Sequence, residues 1–202
     1  AGMGVGSAVP VFEALGSGLL GTPLLSTTLA GQLIWRAAGE SAADWLGRLC
    51  SGTVATVALL DQADWGAANL GVALNADGTL SGSKHYVADA GVAEIFIAVA
   101  NEGGAPVLAI VERDTLNEGA IALNTLIDLT KRAANVDFSG VVPAQVIRGE
   151  SVATALRDML LLGALFTAAE TAGAADKCLR SITEYLKTRK QFGKLIGSYQ
   201  AL

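Results

Sequence analysis

The sequence predicts an α+β fold in which an antiparallel β-barrel or β-sandwich domain lies between two helical domains. Apolar residues recur at helical spacing near both ends of the chain, whereas the middle consists of short runs rich in β-branched residues. Turn sequences such as Asn75–Gly78 and Glu102–Gly104 separate these runs. Short strands with tight turns favour antiparallel pairing over a parallel sheet. The changes between helical and strand-like patterns place the domains at 1–52, 53–149 and 150–202.

The amino-terminal domain is predicted to contain three helices. They cover residues 9–15, 26–38 and 41–49. Gly39 is expected to end the second helix, and Ser41 to cap the third, because glycine and serine are favoured at these two positions.

Six strands are predicted in the middle domain. They cover residues 54–60, 70–74, 79–87, 95–100, 107–112 and 134–138. Each is short and most are bounded by glycine, asparagine or aspartate, which is typical of strands joined by tight turns.

A long helix is predicted in the last quarter of the chain. Its apolar residues alternate in steps of three and four, which indicates a face that packs against other helices. These residues are Leu161, Leu165, Ala168, Ala172, Ala175, Leu179, Ile182 and Leu186. Basic residues gather where this helix is expected to end, at Lys187, Arg189, Lys190 and Lys194, and Gly193 is expected to close it in a left-handed turn. Basic side chains there also offset the helix dipole, which is the purely structural alternative.

Composition excludes some classes of function and favours others. The net charge is −5, which argues against nucleic acid as a partner, because phosphate binding requires basic surface. Apolar residues make up 51% and charged residues 16%, so subunit interfaces are expected. Cys50 and Cys178 match no metal or redox spacing, which favours a reduced cytoplasmic protein with two buried thiols and no metal.

The longest strongly apolar run, Met159–Ala169, is too short to span about 30 Å of hydrocarbon, so no membrane segment is expected. The sequence begins without methionine, and a new helix is only starting at Leu202. We therefore expect the chain to be a fragment of a longer protein.

One stretch near the carboxyl end resembles a known family. It reads Tyr185-x-x-x-Arg189-Lys190-Gln191-Phe192-Gly193-Lys194-x-Ile196-x-x-x-Gln200. This string resembles the segment that follows a long helix in flavin-dependent acyl-CoA dehydrogenases. Weaker similarities to that family lie at 23–52 and 128–143, so the resemblance extends over nearly the whole chain.

The resemblance implies FAD as cofactor, bound partly by residues of an adjoining subunit. Arg189 would then pair with the pyrophosphate, since a guanidinium fork matches phosphate oxygens. Gln191, Phe192 and Gln200 match positions that also touch the neighbour's FAD. Simple packing at a helix end is the alternative for Phe192.

The segment expected to face the flavin within the subunit departs from the family. An aromatic, an aliphatic and a threonine are usual, and here Tyr86, Val87 and Ala88 stand at these positions, without the hydroxyl. An earlier flavin loop is replaced by the sequence 59–66, which lacks the family's pattern. Both departures weaken the prediction that this chain holds its own flavin.

The catalytic base is not identified. In the family it lies either beyond the position of Leu202 or within the long helix, where the register places Gly163. Asp158 and Glu170 are out of this register and are interpreted as ordinary helix residues.

The resemblance thus implies an FAD-dependent enzyme that desaturates an acyl-CoA thioester and passes electrons to an electron-transfer flavoprotein. Two alternatives stay open. The chain could be a non-catalytic subunit that completes a neighbour's FAD site in a mixed oligomer, or a structural protein without flavin. For the enzyme and for the non-catalytic subunit we expect a homo- or hetero-oligomer, with a dimer of dimers as the family's usual form.

Overall fold

The computed structural model describes residues 4–62 and 71–200. The chain forms two compact units. One comprises Ala1–Leu20 together with Ala164–Leu202, and the other comprises Gly21–Gly163. The predicted boundaries at residues 52 and 149 fall between helical and strand-forming regions, and the three-domain division stays a prediction.

Four α-helices are present in the described residues: α1 (Val9–Gly18), α2 (Leu24–Ala38), α3 (Ala43–Cys50) and α4 (Ser151–Thr188). All four were predicted, with ends that differ by a few residues. Gly39 ends α2 with a positive φ of 56°, as predicted. The predicted capping by Ser41 is wrong, because Ser41 lies inside a 3-10 turn and its hydroxyl donates to the carbonyl of Ala38.

Eleven strands are formed by the described residues. They are β1 (Ala55–Ala58), β2 (Ala73–Leu74), β3 (Leu80–Ser81), β4 (Ser83–Ala88), β5 (Ile95–Glu102), β6 (Ala105–Glu112), β7 (Ile121–Leu123), β8 (Ala133–Asp137), β9 (Gln145–Ile147), β10 (Lys190–Gln191) and β11 (Lys194–Leu195). The predicted strand at 79–87 is divided by Gly82, whose φ is 103°. Part of the predicted strand at 70–74 lies outside the described residues.

The larger sheet has the order β3-β2-β5-β6-β9, and β1 also pairs with β5. Strands β1 and β2 both run parallel to β5 and occupy successive parts of the same edge, at Ala55–Ala58 and at Ala73. The other pairs in this sheet are antiparallel. The predicted antiparallel pairing therefore holds for most of this sheet but not for these two short strands, and the sheet is mixed.

Strands β5 and β6 are buried on both faces, and their side chains alternate between two clusters. Ile95, Ile97 and Val99 belong to a cluster shared with α2, β1 and the start of α4. Phe96, Ala98 and Ala100 belong to the cluster on the opposite face. This alternation follows from the two-residue period of a strand and explains why the two strands are almost continuously apolar.

The smaller sheet, with the order β4-β8-β7, covers the second of these faces. Val87, Ala134, Val136 and Phe138 contribute to that cluster, and the rings of Phe96 and Phe138 meet edge to face at 6.1 Å. Helices, a mixed sheet and a second sheet are thus layered in Gly21–Gly163. The predicted α+β fold with a β-sandwich is confirmed, and the described strands do not close into a barrel.

Helix α1 packs against α4 at very short range. The rings of Phe12 and Phe166 are stacked with centroids 4.4 Å apart. A Cβ atom on Gly173 would lie 1.8 Å from the carbonyl oxygen of Glu13, and one on Gly16 would lie 1.8 Å from that of Glu170. Glycine at both positions allows the two backbones to touch.

The face of α4 that packs is not the predicted one. The buried residues are Val152, Ala155, Met159, Leu162, Phe166, Ala169 and Gly173. The predicted stripe lies beside this face and is exposed, with Leu161, Leu165, Leu179 and Ile182 between 43% and 65% accessible. The sequence could not separate the two faces, because α4 carries apolar residues on both.

The expectation of buried thiols is corrected here. Cys50 and Cys178 are free, as expected, but exposed, because one ends α3 and the other lies on the exposed part of α4.

Helix α4 as a whole is long and apolar enough to cross a membrane, whereas the prediction considered only its most apolar run. A core helix of a soluble protein passes the same test, so this is weak support for a membrane segment.

Candidate functional site

The segment after α4 forms a small hairpin that carries most of the predicted cofactor residues. Strands β10 and β11 pair antiparallel, with Lys190 opposite Leu195 and Gln191 opposite Lys194. Phe192 and Gly193 form the two-residue turn between them, with φ of 52° and 82°. Positive φ at both turn residues is the geometry that fits the twist of a two-residue hairpin.

This hairpin corrects the predicted end of the helix. Helix α4 ends at Thr188, and the amide of Arg189 still donates to the carbonyl of Tyr185. Gly193 does take the left-handed conformation, but it does so in the hairpin turn and not as the residue that closes the helix. Both roles require positive φ, so the glycine alone could not distinguish them.

Phe192 is highly exposed at the turn of this hairpin. It is 93% accessible and has a left-handed backbone, which costs a residue with a side chain about 1–2 kcal/mol. Burial against the helix end does not explain this residue, so the packing alternative for Phe192 fails within the described residues. Strained backbone conformations cluster at functional sites, so Phe192 is a candidate binding residue.

The four basic side chains around the hairpin divide into two groups. Lys187 forms an ion pair with Glu184 at 2.8 Å, and the ammonium of Lys194 lies 4.1 Å from the centre of the Tyr199 ring. Within residues 4–62 and 71–200, the side chains of Arg189 and Lys190 form no ion pair. Arg189 and Lys190 therefore remain available for an anionic ligand.

The other predicted segment, Tyr86–Ala88, lies in β4 and belongs to the other compact unit. Tyr86 has a φ of 48°, and the pairing of β4 with β8 shifts register between Lys84 and Val87. The amide of Tyr86 is held by the side-chain oxygen of Asn135 at 3.2 Å, and the residue is 44% accessible. This bulge turns the ring of Tyr86 out of the sheet.

Val87 and Ala88 differ in what they offer a ligand. Val87 is buried in the core, so only its backbone could contact a ligand. Ala88 is exposed and has no polar side-chain atom, while its carbonyl accepts a hydrogen bond of 2.6 Å from Thr56. The structure thus keeps the aromatic part of this segment accessible, while Ala88 offers no hydroxyl.

Asp89, which the sequence analysis did not select, fixes the end of β4. Its φ is 54°, and its carboxylate accepts hydrogen bonds from Ser26 at 2.7 Å and from Arg132 at 3.3 Å. These bonds connect β4 to the first turn of α2 and to the chain before β8. Asp89 therefore secures the position of the strand that carries Tyr86.

A buried ion pair supports the same strand from its other end. Lys84 is fully buried, and its ammonium lies 2.5 Å from the carboxylate of Asp61 and 3.1 Å from the carbonyl of Leu59. Burial lowers the pKa of Lys84, and the hydrogen bond to Asp61 opposes this shift. The local sequence gives no signal for this pair, because the polar residues Ser83 and His85 flank Lys84 in β4.

No candidate base occupies the register position in α4. A Cβ atom on Gly163 would lie 3.4 Å from the side chain of Leu29, so the space above this glycine is filled. Asp158 forms an ion pair with Arg36 at 2.9 Å, which agrees with its interpretation as an ordinary helix residue. Among the described residues, no group of three His, Cys, Asp or Glu side chains is placed to hold a metal ion.

Comparisons with known proteins agree with these features. The family described as "Acyl-CoA dehydrogenase, C-terminal domain" matches residues 153–202, which include α4 and the hairpin. The acyl-CoA dehydrogenase IpdE2 of Mycobacterium tuberculosis is 30% identical over all 202 residues of this chain. The chain is therefore similar to an acyl-CoA dehydrogenase along its whole length. It spans 51% of the length of that relative.

Two solved structures have the same fold as this chain. The ChsE4–ChsE5 complex from Mycobacterium tuberculosis has a TM-score of 0.78 and 26% identity, covering 99% of this chain and 55% of that chain. The structure of PigA with FAD and proline has a TM-score of 0.84 over 100% of this chain and 58% of that chain. At 22% identity the second likeness supports the fold alone.

The two predicted cofactor segments fit FAD to different degrees. The hairpin has two cations without an ion-pair partner among the described residues, and an exposed ring, which suit the phosphates and the aromatic parts of a dinucleotide. The β4 segment retains an exposed ring but lacks a hydroxyl. Gln191 and Gln200 are exposed on or after the hairpin, and their contacts with FAD stay predictions.

Proposed function

We propose that this chain functions in an FAD-dependent acyl-CoA dehydrogenase, acting in the cytoplasm on an acyl-CoA thioester. The observation that carries the proposal is the hairpin. Within the described residues its Arg189 and Lys190 side chains form no ion pair, and Phe192 beside them is exposed and has a strained backbone. Bound FAD would supply the acceptor for the electrons removed from the acyl chain, which an electron-transfer flavoprotein would then collect.

In this proposal the hairpin contributes to FAD held mainly by an adjoining subunit, in a homo- or hetero-oligomer. Arg189 would neutralise the pyrophosphate and Phe192 would contact the aromatic parts of the cofactor. Tyr86 would stack near the cofactor held by its own subunit, with Val87 and Ala88 contributing backbone atoms. Neither nucleic acid nor a membrane is part of this proposal.

A second candidate function is a non-catalytic subunit in a mixed oligomer. Two observations favour it: Ala88 provides no hydroxyl, and Gly163 provides no carboxylate where the register would place one. The ChsE4–ChsE5 relative is itself a complex of two different chains. A chain of this kind would retain the hairpin while its own flavin segments lose their polar groups.

Purification alone and after co-expression with a related acyl-CoA dehydrogenase subunit separates the candidates. Flavin absorbance in the chain purified alone, bleached by an acyl-CoA under anaerobic conditions, supports the enzyme. Flavin that is retained only in the co-expressed oligomer supports the partner subunit. Absence of flavin in both preparations would contradict both candidates and leave the structural alternative.

A further inference from the structure

Residues after the hairpin fold back and hold it by three kinds of contact. The amide of Ile196 donates to the carbonyl of Arg189 at 2.9 Å. The hydroxyl of Tyr199 donates to the carbonyl of Gln191 at 3.2 Å, and the ring of Tyr199 lies under the ammonium of Lys194 at 4.1 Å. Tyr199 thus contacts both strands of the hairpin at once.

The hairpin needs such support. Each of its strands has only two residues, and all four are exposed. An isolated two-stranded hairpin is marginally stable at best in water, even when its strands are longer. The strained backbone of Phe192 adds a further cost at the tip. Contacts from outside the pair must therefore hold the turn.

We propose that Tyr199 is a positioning residue, which acts with Lys194 to hold the hairpin in the conformation that presents Arg189 and Phe192 to a dinucleotide. This inference rests on the proposed function. It assigns Lys194 to the hairpin's own structure, because its charge is already engaged by the Tyr199 ring. The anionic ligand is then contacted by Arg189 and Lys190.

The contacts of Tyr199 predict a graded response to substitution. The hydroxyl of Tyr199 donates to the backbone carbonyl of Gln191, so this bond stabilises the hairpin backbone and does not involve the Gln191 side chain. Phenylalanine at 199 would keep the ring beneath Lys194 and lose only the hydrogen bond. Alanine would lose both contacts.

Hydrogen exchange tests the inference, measured on the full chain both without flavin and in its flavin-loaded oligomer. In Y199A we expect exchange of amides in 190–196 to rise about tenfold or more, because the hydrogen bond and the cation–π contact are both lost. In Y199F and in K194M the rise should be smaller. Peptides from β5 and β6 should exchange as in the wild type.

FAD retention in the same samples completes the test. We expect Y199A to weaken FAD retention about tenfold and Y199F to restore most of it, whereas K187M, which removes a cation that is paired with Glu184, should have no effect. Unchanged exchange of the hairpin in Y199A would overturn the inference. Faster exchange with unchanged FAD retention would overturn the positioning role.

The proposed function can fail separately from this inference. If the wild type retains no FAD alone or with a partner subunit, the proposed function is rejected. The exchange measurement still decides whether Tyr199 and Lys194 hold the hairpin.

Discussion

At the scale of single residues, unusual backbone conformations mark the predicted cofactor segments. Four described residues other than glycine have positive φ: Leu19, Tyr86, Asp89 and Phe192. Tyr86 and Phe192 were selected from the sequence as cofactor residues, and Asp89 follows Ala88 directly. Strained residues persist where the surrounding structure fixes them, and such residues concentrate at functional sites.

The strain at Phe192 leads to a prediction that separates binding from stability. In F192G, relief of the left-handed penalty of about 1–2 kcal/mol is largely offset by the entropy cost of glycine, about 0.5–1 kcal/mol. We therefore expect the free energy of unfolding to rise by up to about 1 kcal/mol, measured by urea denaturation. FAD retention should fall, because the exposed ring is lost.

Leu19 provides the matched control. It also has a left-handed backbone and is 68% accessible, but it lies at the end of α1 and outside both cofactor segments. L19G should show the same change in stability and full FAD retention. Equal FAD retention in F192G and L19G would show that Phe192 does not bind the cofactor.

At the scale of secondary-structure elements, the crossing of α1 and α4 depends on two glycines. A methyl group on Gly173 would overlap the carbonyl of Glu13, and neither backbone can move without disturbing the stacked Phe12 and Phe166 rings. We expect G173A to lower the free energy of unfolding by about 1–3 kcal/mol or more, as overpacked cores do.

Gly47 supplies a contrast for this prediction. It lies within α3, and no atom lies within 4 Å of its would-be Cβ. G47A should stabilise the chain by up to about 1 kcal/mol, since alanine favours helix more than glycine does. Thermal or urea denaturation of both variants measures the difference. Similar stability of G173A and the wild type would show that the helices do not approach this closely.

The Lys84–Asp61 ion pair connects β4 with the chain after β1 and leads to a prediction about buried charge. In K84M the carboxylate of Asp61, 5% accessible, loses its counter-charge and, among the residues that the structure describes, keeps one hydrogen bond, from the amide of Val72. We expect a loss of about 3–5 kcal/mol in the free energy of unfolding.

The double variant K84M/D61L tests the cause of that loss. It removes both charges, so it should be more stable than K84M at neutral pH, by urea denaturation. If the double variant were less stable than K84M, the unpaired carboxylate would not be the source of the loss.

Elements with a strong local pattern could be predicted from the sequence, and those fixed by tertiary contacts could not. The strands β5 and β6 combine long apolar runs with the glycine turn at 103–104, so their existence was evident. Strand β7 and strand β9 have three residues each and depend on their neighbours. The hairpin was missed because Phe192-Gly193 was interpreted as the end of a helix.

The candidate site was predictable to the extent that it resembles a family. The string from Arg189 to Gln200 identified the hairpin residues, and Tyr86 was found by the same comparison. The supporting residues Tyr199, Asp89 and Lys84 act through contacts with distant parts of the chain, which no local pattern shows.

At the scale of the whole molecule, the apolar composition and the exposed apolar surface both favour an oligomer. The chain is 51% apolar, and the stripe of α4 that includes Leu179 and Ile182 is exposed. Exposed apolar stripes of this kind are usually covered in a larger assembly. The expectation of an oligomer rests on this stripe and on relatives that form complexes, and its composition stays a prediction.

The most direct measurement is the FAD content of the purified oligomer with R189A, compared with the wild type and with K187M. Both variants remove one positive charge near the end of α4. Lys187 is paired with Glu184, whereas Arg189 has no ion-pair partner among the described residues. We expect FAD affinity to fall about tenfold or more in R189A, since a charged hydrogen bond contributes about 1.5–3 kcal/mol, and to be unchanged in K187M. Equal FAD content in all three proteins would contradict the account.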